Sequence, residues 1–414
     1  MNAKSFSLSI LFSSLCVLSI NTSYATIYKC TSSTGKVSYS GTPCASGTTT
    51  KSTTLSTSTT STPTTSTSTA PTTSTNTTTT APTTTTSSTS TSGTLSLATP
   101  TSTATSTGLL TDNIFATTSF WYKPIPTNVV LHTNSSNFVK EFVRQKIAYY
   151  NNVNINTSSY SSPIYVAQAG APTVKVAFND CQKKGWVDPV FTSMVSAVPI
   201  PSIAKQASGT DGEMTIYQPS SHTIWELWVA KKDAYGKWSS CWGGKLASAS
   251  YGQGIFQKNY GTTATGLPFV GGQITAEELK RGEIKHAIGI ALVDVEKASI
   301  FSWPANRSDG YNPNNASNRI AEGQRFRLNP SVNVDALPMT KAGKIIAKAA
   351  QKYGFIVWDK AGSIGIRAQN ADSYTMLGKP NPYPALYEYK AAYAVLNGFP
   401  WDKLQFLPMH YGRP

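Results

Sequence analysis

The sequence predicts a mainly β protein: a jelly-roll-like β-sandwich with a few peripheral helices, preceded by a small disulfide-closed hairpin and a disordered linker. Three observations carry that expectation. Apolar and polar residues alternate through much of the second half of the chain, the period of a strand. Helix signals there are few and short. In addition, 47 of the 62 residues from Ser46 to Thr107 are Ser or Thr, a composition that cannot bury enough surface to offset the entropy of ordering. The resulting boundaries are a leader at 1–25, a hairpin at 26–45, a linker at 46–108 and a sandwich at 109–414.

Lys4 precedes an apolar stretch from Phe6 to Ile20, and Ser23-Tyr24-Ala25 then supplies the small-x-small pattern of signal-peptidase cleavage. Serines interrupt the stretch, which falls short of the ~20 apolar residues that span a bilayer. Cleavage after Ala25 and export are therefore expected, to the periplasm, the outer surface or the medium, with no transmembrane anchor afterwards. Cys16 leaves with the leader, and Cys30, Cys44, Cys181 and Cys241 remain. Four cysteines in an oxidising compartment allow three pairings. Because the linker separates them two from two, the local pairs Cys30 with Cys44 and Cys181 with Cys241 are the economical choice. No C-x-x-C pair or neighbouring His offers a zinc site, and neither a metal nor a cofactor is expected.

Thr26 to Ala45 reads as a hairpin, with Ile27 to Cys30 and Lys36 to Ser40 as strands around a turn ending at Gly35. It is too small to hold a core without its disulfide. The linker has no aromatic residue, a single charge at Lys51 and four prolines; as a flexible coil it would span roughly 40–50 Å. Beyond Leu109, strands are predicted at Thr173 to Phe178, Met214 to Tyr217, Thr223 to Lys231, Ala287 to Val293 and Phe355 to Trp358, the last followed by a turn at Asp359 to Gly362. Thr275 and Glu278 form a capping box for a short helix ended by Gly282, and Thr340 caps a second one closed by Gly354. Asn137 to Tyr149 and Pro384 to Leu396 are further helical candidates.

The formal net charge is +15 with only 13% of residues charged. From Leu109 onward it is +11, without Lys or Arg runs, so a nucleic-acid arm or a polybasic membrane patch is not indicated. The excess is a mild pointer to anionic ligands. Serine-hydrolase, P-loop and Rossmann signatures are absent from the sequence.

Chemistry concentrates between Gly209 and Gly244, where four of the nine tryptophans fall within eighteen residues. In the strand from Thr223, Trp225, Leu227 and Val229 share an apolar face, so Glu226 looks out between Ile224 and Trp228. A carboxyl beside an indole has its ionised form disfavoured and can act as a general acid. Exposed tryptophan also stacks on sugar C–H faces, and Trp228, Trp238 and Trp242 are candidates for that role. Asp211, in a Gly-flanked turn, is a candidate partner carboxylate. His286, one of four histidines, is a candidate base. Arg325 and Arg327 share a strand face and could clamp a carboxylate bidentately.

Two stretches resemble known families. Tyr28-Lys29-Cys30, Gly35-Lys36-Val37, Tyr39 and Pro43-Cys44 resemble the short domain of unknown function found after the signal peptide in many proteobacterial envelope proteins; that family implies no chemistry. Gly209-Thr210-Asp211-Gly212, Thr223 to Trp228, Gly261 to Pro268, Gly282 to Ala287, Trp303-Pro304-Ala305 and Gly323 to Leu328 resemble a family of uncharacterised secreted bacterial proteins. The similarity covers roughly Pro199 to Ala368. Members of that family often carry His after the Asp-Gly pair, where this chain has Glu213; if that His serves the family as a proton carrier or metal ligand, this chain has lost or replaced it.

Two functions remain. One is a secreted or envelope-tethered module that binds a polysaccharide or cell-envelope glycan. The other is a carbohydrate-active enzyme, either a hydrolase using Glu226 with Asp211, or a lyase in which Arg325 or Arg327 neutralises a uronate and His286 abstracts the proton.

Overall fold

The computed structural model describes residues 24–31, 37–40, 49–56, 109–110 and 114–414. The chain divides into two compact units, Met1–Leu97 and Ala98–Pro414. In the first, β1 (Tyr24–Thr31) pairs antiparallel with β2 (Val37–Ser40), as the hairpin pattern predicts, and on its other edge with β3 (Thr49–Ser56). β3 comes from the beginning of the stretch read as linker. The proposed leader up to Ser23, the Cys30 with Cys44 pairing and most of the Ser/Thr-rich tract lie outside the described residues.

The second unit is mainly β. Its strands are β4 (Asn154–Asn156), β5 (Ile164–Val166), β6 (Ala177–Phe178), β7 (Met214–Gln218), β8 (Thr223–Trp228), β9 (Lys231–Lys232), β10 (Trp238–Ser240), β11 (Trp242–Leu246), β12 (Ile288–Leu292), β13 (Arg325–Leu328), β14 (Phe355–Lys360), β15 (Gly365–Arg367) and β16 (Leu404–Phe406). They form a six-stranded sheet in the order β16-β13-β14-β12-β15-β4, a four-stranded sheet β11-β8-β7-β5 and a small sheet β6-β10-β9. A jelly roll is antiparallel throughout; here β12 with β14, β15 with β4, β5 with β7 and β10 with β6 run parallel. The sequence could not show this, because periodicity reports which face a residue takes and not which neighbour its strand chooses.

Alternation along β14 shows how the layers stack. Phe355 and Val357 enter a core beneath α1 (Ser135–Ala148) and α5 (Lys341–Lys352), while Ile356 and Trp358 face the opposite way. There they meet Ile224 of β8, with Trp121 and Phe269. Trp225 and Leu227 of β8 turn to a third core, completed by Phe191 of α2 (Pro189–Met194) and Trp238. Both sheets are thus covered on both faces, which explains why β8, β12 and β13 are buried almost end to end.

The remaining helices are brief: α3 (Phe269–Gly272), α4 (Ala276–Arg281), α6 (Asp372–Thr375) and α7 (Tyr383–Leu386). The capping box of α4 is present, with the Thr275 hydroxyl accepting from the Glu278 N–H and Gly282 in the left-handed region. Thr340 caps α5 by accepting from the Gly343 N–H. Pro384 to Leu396 is not a continuous helix. Glu388 and Tyr389 both take left-handed backbone conformations, which end α7 after one turn.

Candidate functional site

The ends of three strands meet at one rim of the sheet stack: β8 stops at Trp228, β11 begins at its cross-strand partner Trp242, and β14 reaches Asp359 and Lys360. A cleft of about 610 Å³ opens there, a size typical of small-molecule sites, roughly 300–1,000 Å³.

The first wall is the turn before β7. Val229 sits at φ 52, a conformation a β-branched residue seldom adopts. Its N–H donates to the Asp211 carbonyl (2.7 Å), and the Ala230 N–H donates to the Gly212 carbonyl (3.0 Å). These bonds end β8 and seat the turn against it. Gly212, at φ +43, is required at this approach: a Cβ there would meet the Ala230 carbonyl oxygen at 3.2 Å. Asp211 and Glu213, two residues apart, both line the cleft.

The second wall is the Thr-rich loop from Gly261 to Pro268. Thr263 bonds to the Leu267 carbonyl, Thr265 to the Trp358 carbonyl, and Arg307 donates to the carbonyls of Gly261 and Thr263. Gly244 of β11 lets the loop lie close, since a Cβ there would be 2.7 Å from the Gly261 nitrogen.

The third wall hangs from the Cys181–Cys241 disulfide, which the structure contains. The segment after Cys181 is folded by the Asp180 carboxylate, which accepts from the N–H groups of Lys184 (2.8 Å) and Gly185 (2.7 Å). It presents Trp186, 51% exposed, together with Lys184 and Asp188.

Carboxyl groups dominate the electrostatics. Glu213 is 1% exposed and neither oxygen receives a hydrogen bond from another residue; its nearest cation is Arg367, 3.9 Å away. Burial pushes its pKa up to about 7 against the opposing charge of Arg367, with Asp211 and Asp359 adding to the rise. Asp359, bonded to Arg367 at 3.1 Å, is raised to about 6, again by burial. Behind Asp309, burial takes Glu322 to about 8. Among the described residues no cluster of His, Cys, Asp and Glu has the makings of a metal site.

The residues singled out from sequence do not converge. Asp211, Trp228 and Trp242 line the cleft. Glu226 takes the face that alternation assigns it, but the second sheet layer covers that face: the side chain is fully buried and accepts hydrogen bonds from the Thr262 hydroxyl and the Phe269 N–H, both 2.6 Å. Burial raises it to about 7, and it braces the Thr-rich loop from within. Trp238 is in the third core. Trp242 stacks between Phe191 and Tyr260, with interplanar angles of 20° and 9°.

His286 lies elsewhere, in a separate cavity of about 340 Å³, paired with Glu278 at 3.2 Å and bonded to the Ala287 carbonyl. Glu278 and the Ala287 carbonyl raise its pKa against the effect of burial. The guanidinium of Arg325 donates to the carbonyls of Tyr353, Phe120 and Lys123, and that of Arg327 to Pro126, Thr127 and Gln405. Both arginines fasten the segment 120–127 to the six-stranded sheet rather than facing the cleft.

Sequence reasoning passed over Glu213 as a site residue, though its place beside the Asp-Gly pair was a signal. Trp186 was missed because it stands alone in a Lys- and Gly-rich loop, and Asp359 because it reads as a turn former.

The family model for a domain of unknown function, DUF4124, a domain of proteobacterial envelope proteins, matches residues 14–90. That match leaves the cleft-bearing unit untouched and lends no support to the resemblance read over Pro199 to Ala368. No curated protein and no solved structure matches the chain. The envelope domain and the disulfide agree with export, and no helix among the described residues is long and apolar enough to cross a membrane.

Proposed function

We propose that this is an exported, envelope-associated protein whose cleft binds a glycan. The observation that carries the reading is the pairing of an exposed indole at the cleft mouth, Trp186, and a half-buried one on its wall, Trp228, with a lining of carboxyl, hydroxyl and backbone carbonyl groups. Flat apolar rings beside convergent acceptors suit a sugar, which offers C–H faces and hydroxyl donors at once. Trp242, held by Phe191 and Tyr260, keeps the shelf rigid and supplies little free ring face. The charges lining the cleft are Asp188, Asp211, Glu213, Asp309 and Asp359 against Lys184, Arg307 and Lys360. This balance favours a neutral saccharide over the anionic one that the +11 from Leu109 onward suggests.

The test is retention of the full-length protein in native gels containing neutral glucan, chitin-derived, alginate or polygalacturonate polymers. Retardation by a neutral polymer is expected. Trp186→Ala and Trp228→Ala should each weaken it about 3–10-fold, the worth of one aromatic contact. No retardation by any polymer, or full retardation of both variants, overturns the reading.

A further inference from the structure

Resting on that glycan-binding reading, we propose that the cleft hydrolyses the neutral polysaccharide it holds, with Glu213 as general acid and Asp211 as the base that activates water. Neither Glu226 nor His286 is needed for this.

The geometry separates Glu213 from the other carboxyls of the molecule. Glu226 has both oxygens satisfied and does not line the cleft, while Glu278 is committed to His286 and Thr275. Among the described residues, Glu213 alone combines a place on the cleft wall with near-complete burial and two oxygens that accept no hydrogen bond from another residue. Leaving such a group unpaired is costly, and a ligand atom that accepts its proton would remove that cost. The charged groups facing it are Arg367 of β15, Asp359 of β14 and Asp211 of its own turn. Arg367 is shared with Asp359 and stacked 4.5 Å over the Phe269 ring; it approaches Glu213 only to 3.9 Å and donates no hydrogen bond to it. Asp211 is half-buried on the same wall, open to water in the cleft. Two carboxyls of unlike environment are one requirement for acid–base cleavage of a glycosidic bond.

The step balances without a cofactor. Glu213 gives its proton to the glycosidic oxygen as the C1–O bond breaks. Asp211 takes a proton from a water whose oxygen bonds to C1. One water is consumed, two shorter saccharides with free hydroxyls leave, and Asp211 and Glu213 exchange protons with solvent to reset. Burial holds Glu213 protonated up to about pH 7, so the rate should fall as pH rises through that value.

The experiment incubates the full-length protein with the polymers of the binding panel and measures new reducing ends from pH 5 to 9. Release from a neutral polymer that binds, with a basic limb near pH 7, is expected. Glu213→Gln should lower turnover about 10²–10⁴-fold with binding in the gel assay retained and the basic limb lost. Asp211→Asn, a milder change at a half-exposed site, should do the same to turnover and spare the basic limb. Binding without release of reducing ends overturns hydrolysis and leaves the glycan-binding reading standing; absence of binding overturns both. Full turnover in Glu213→Gln sinks the assignment of the acid.

Discussion

Glu226 illustrates what one residue does when a strand is covered twice. Its carboxyl bridges β8 to the Thr262 hydroxyl and the Phe269 N–H in the layer between the sheets. Truncation to Ala would leave that N–H unpaired and open a void, a cost of about 2–4 kcal/mol. Glu226→Gln keeps the volume and an acceptor for Phe269 and should cost about 1 kcal/mol. Urea unfolding followed by tryptophan fluorescence measures both, since all nine tryptophans lie beyond residue 120. Equal losses for Ala and Gln would show that the carboxylate charge, and not the packing and hydrogen bonds, matters here. The face of Glu226 was legible in the sequence and its burial was not. Strict alternation implies one wet face, whereas a strand inside stacked layers has none. Trp238 shows the same limit: a Trp in a strand can be seen in the sequence, but which core receives it depends on the partner layers.

At the scale of elements, local chemistry was the most readable part. The capping box of α4, the Thr340 cap of α5 and the glycine stops that follow each helix fell where Thr275, Glu278, Thr340, Gly282 and Gly354 place them, because those bonds close within one turn. Strand ends were less visible. The run from Thr223 to Lys231 breaks at Val229, whose positive φ is imposed by hydrogen bonds from a turn distant in sequence. The Cys181–Cys241 pair, by contrast, was deducible, since the linker leaves each cysteine one economical partner. Its loss has a double consequence. A bond closing a loop of 60 residues contributes about 4 kcal/mol on the chain-entropy model, and here it also tethers the segment that carries Lys184 and Trp186. The double variant Cys181→Ser, Cys241→Ser should unfold at lower urea and lose glycan retardation at least as strongly as Trp186→Ala. Retained binding together with lowered stability would mean that Asp180 alone holds the third wall.

For the whole molecule, the buried acids impose a direction on stability. Glu213 and Glu226 are raised to about 7, Asp359 to about 6 and Glu322 to about 8, burial being the first cause in each. In the unfolded chain the same groups ionise near pH 4. Between these values the folded state binds more protons than the unfolded one, so the free energy of unfolding falls as pH rises. His286 acts in the same sense: its folded pKa is raised, so its pairing with Glu278 stabilises at low pH and is lost as pH rises through that value. Glu278, held below its ordinary value, opposes them only at the acid end, where protonating it releases the pair. Stability should therefore decline from pH 5 to pH 8, on the order of a few kcal/mol, read as a lower urea midpoint by tryptophan fluorescence. Replacing Glu213 and Glu226 together by Gln should flatten that slope, because neither amide can ionise. A midpoint that rises from pH 5 to pH 8 would mean that these carboxyls are ionised in the folded protein, which would also remove the protonated acid that the proposed hydrolysis requires.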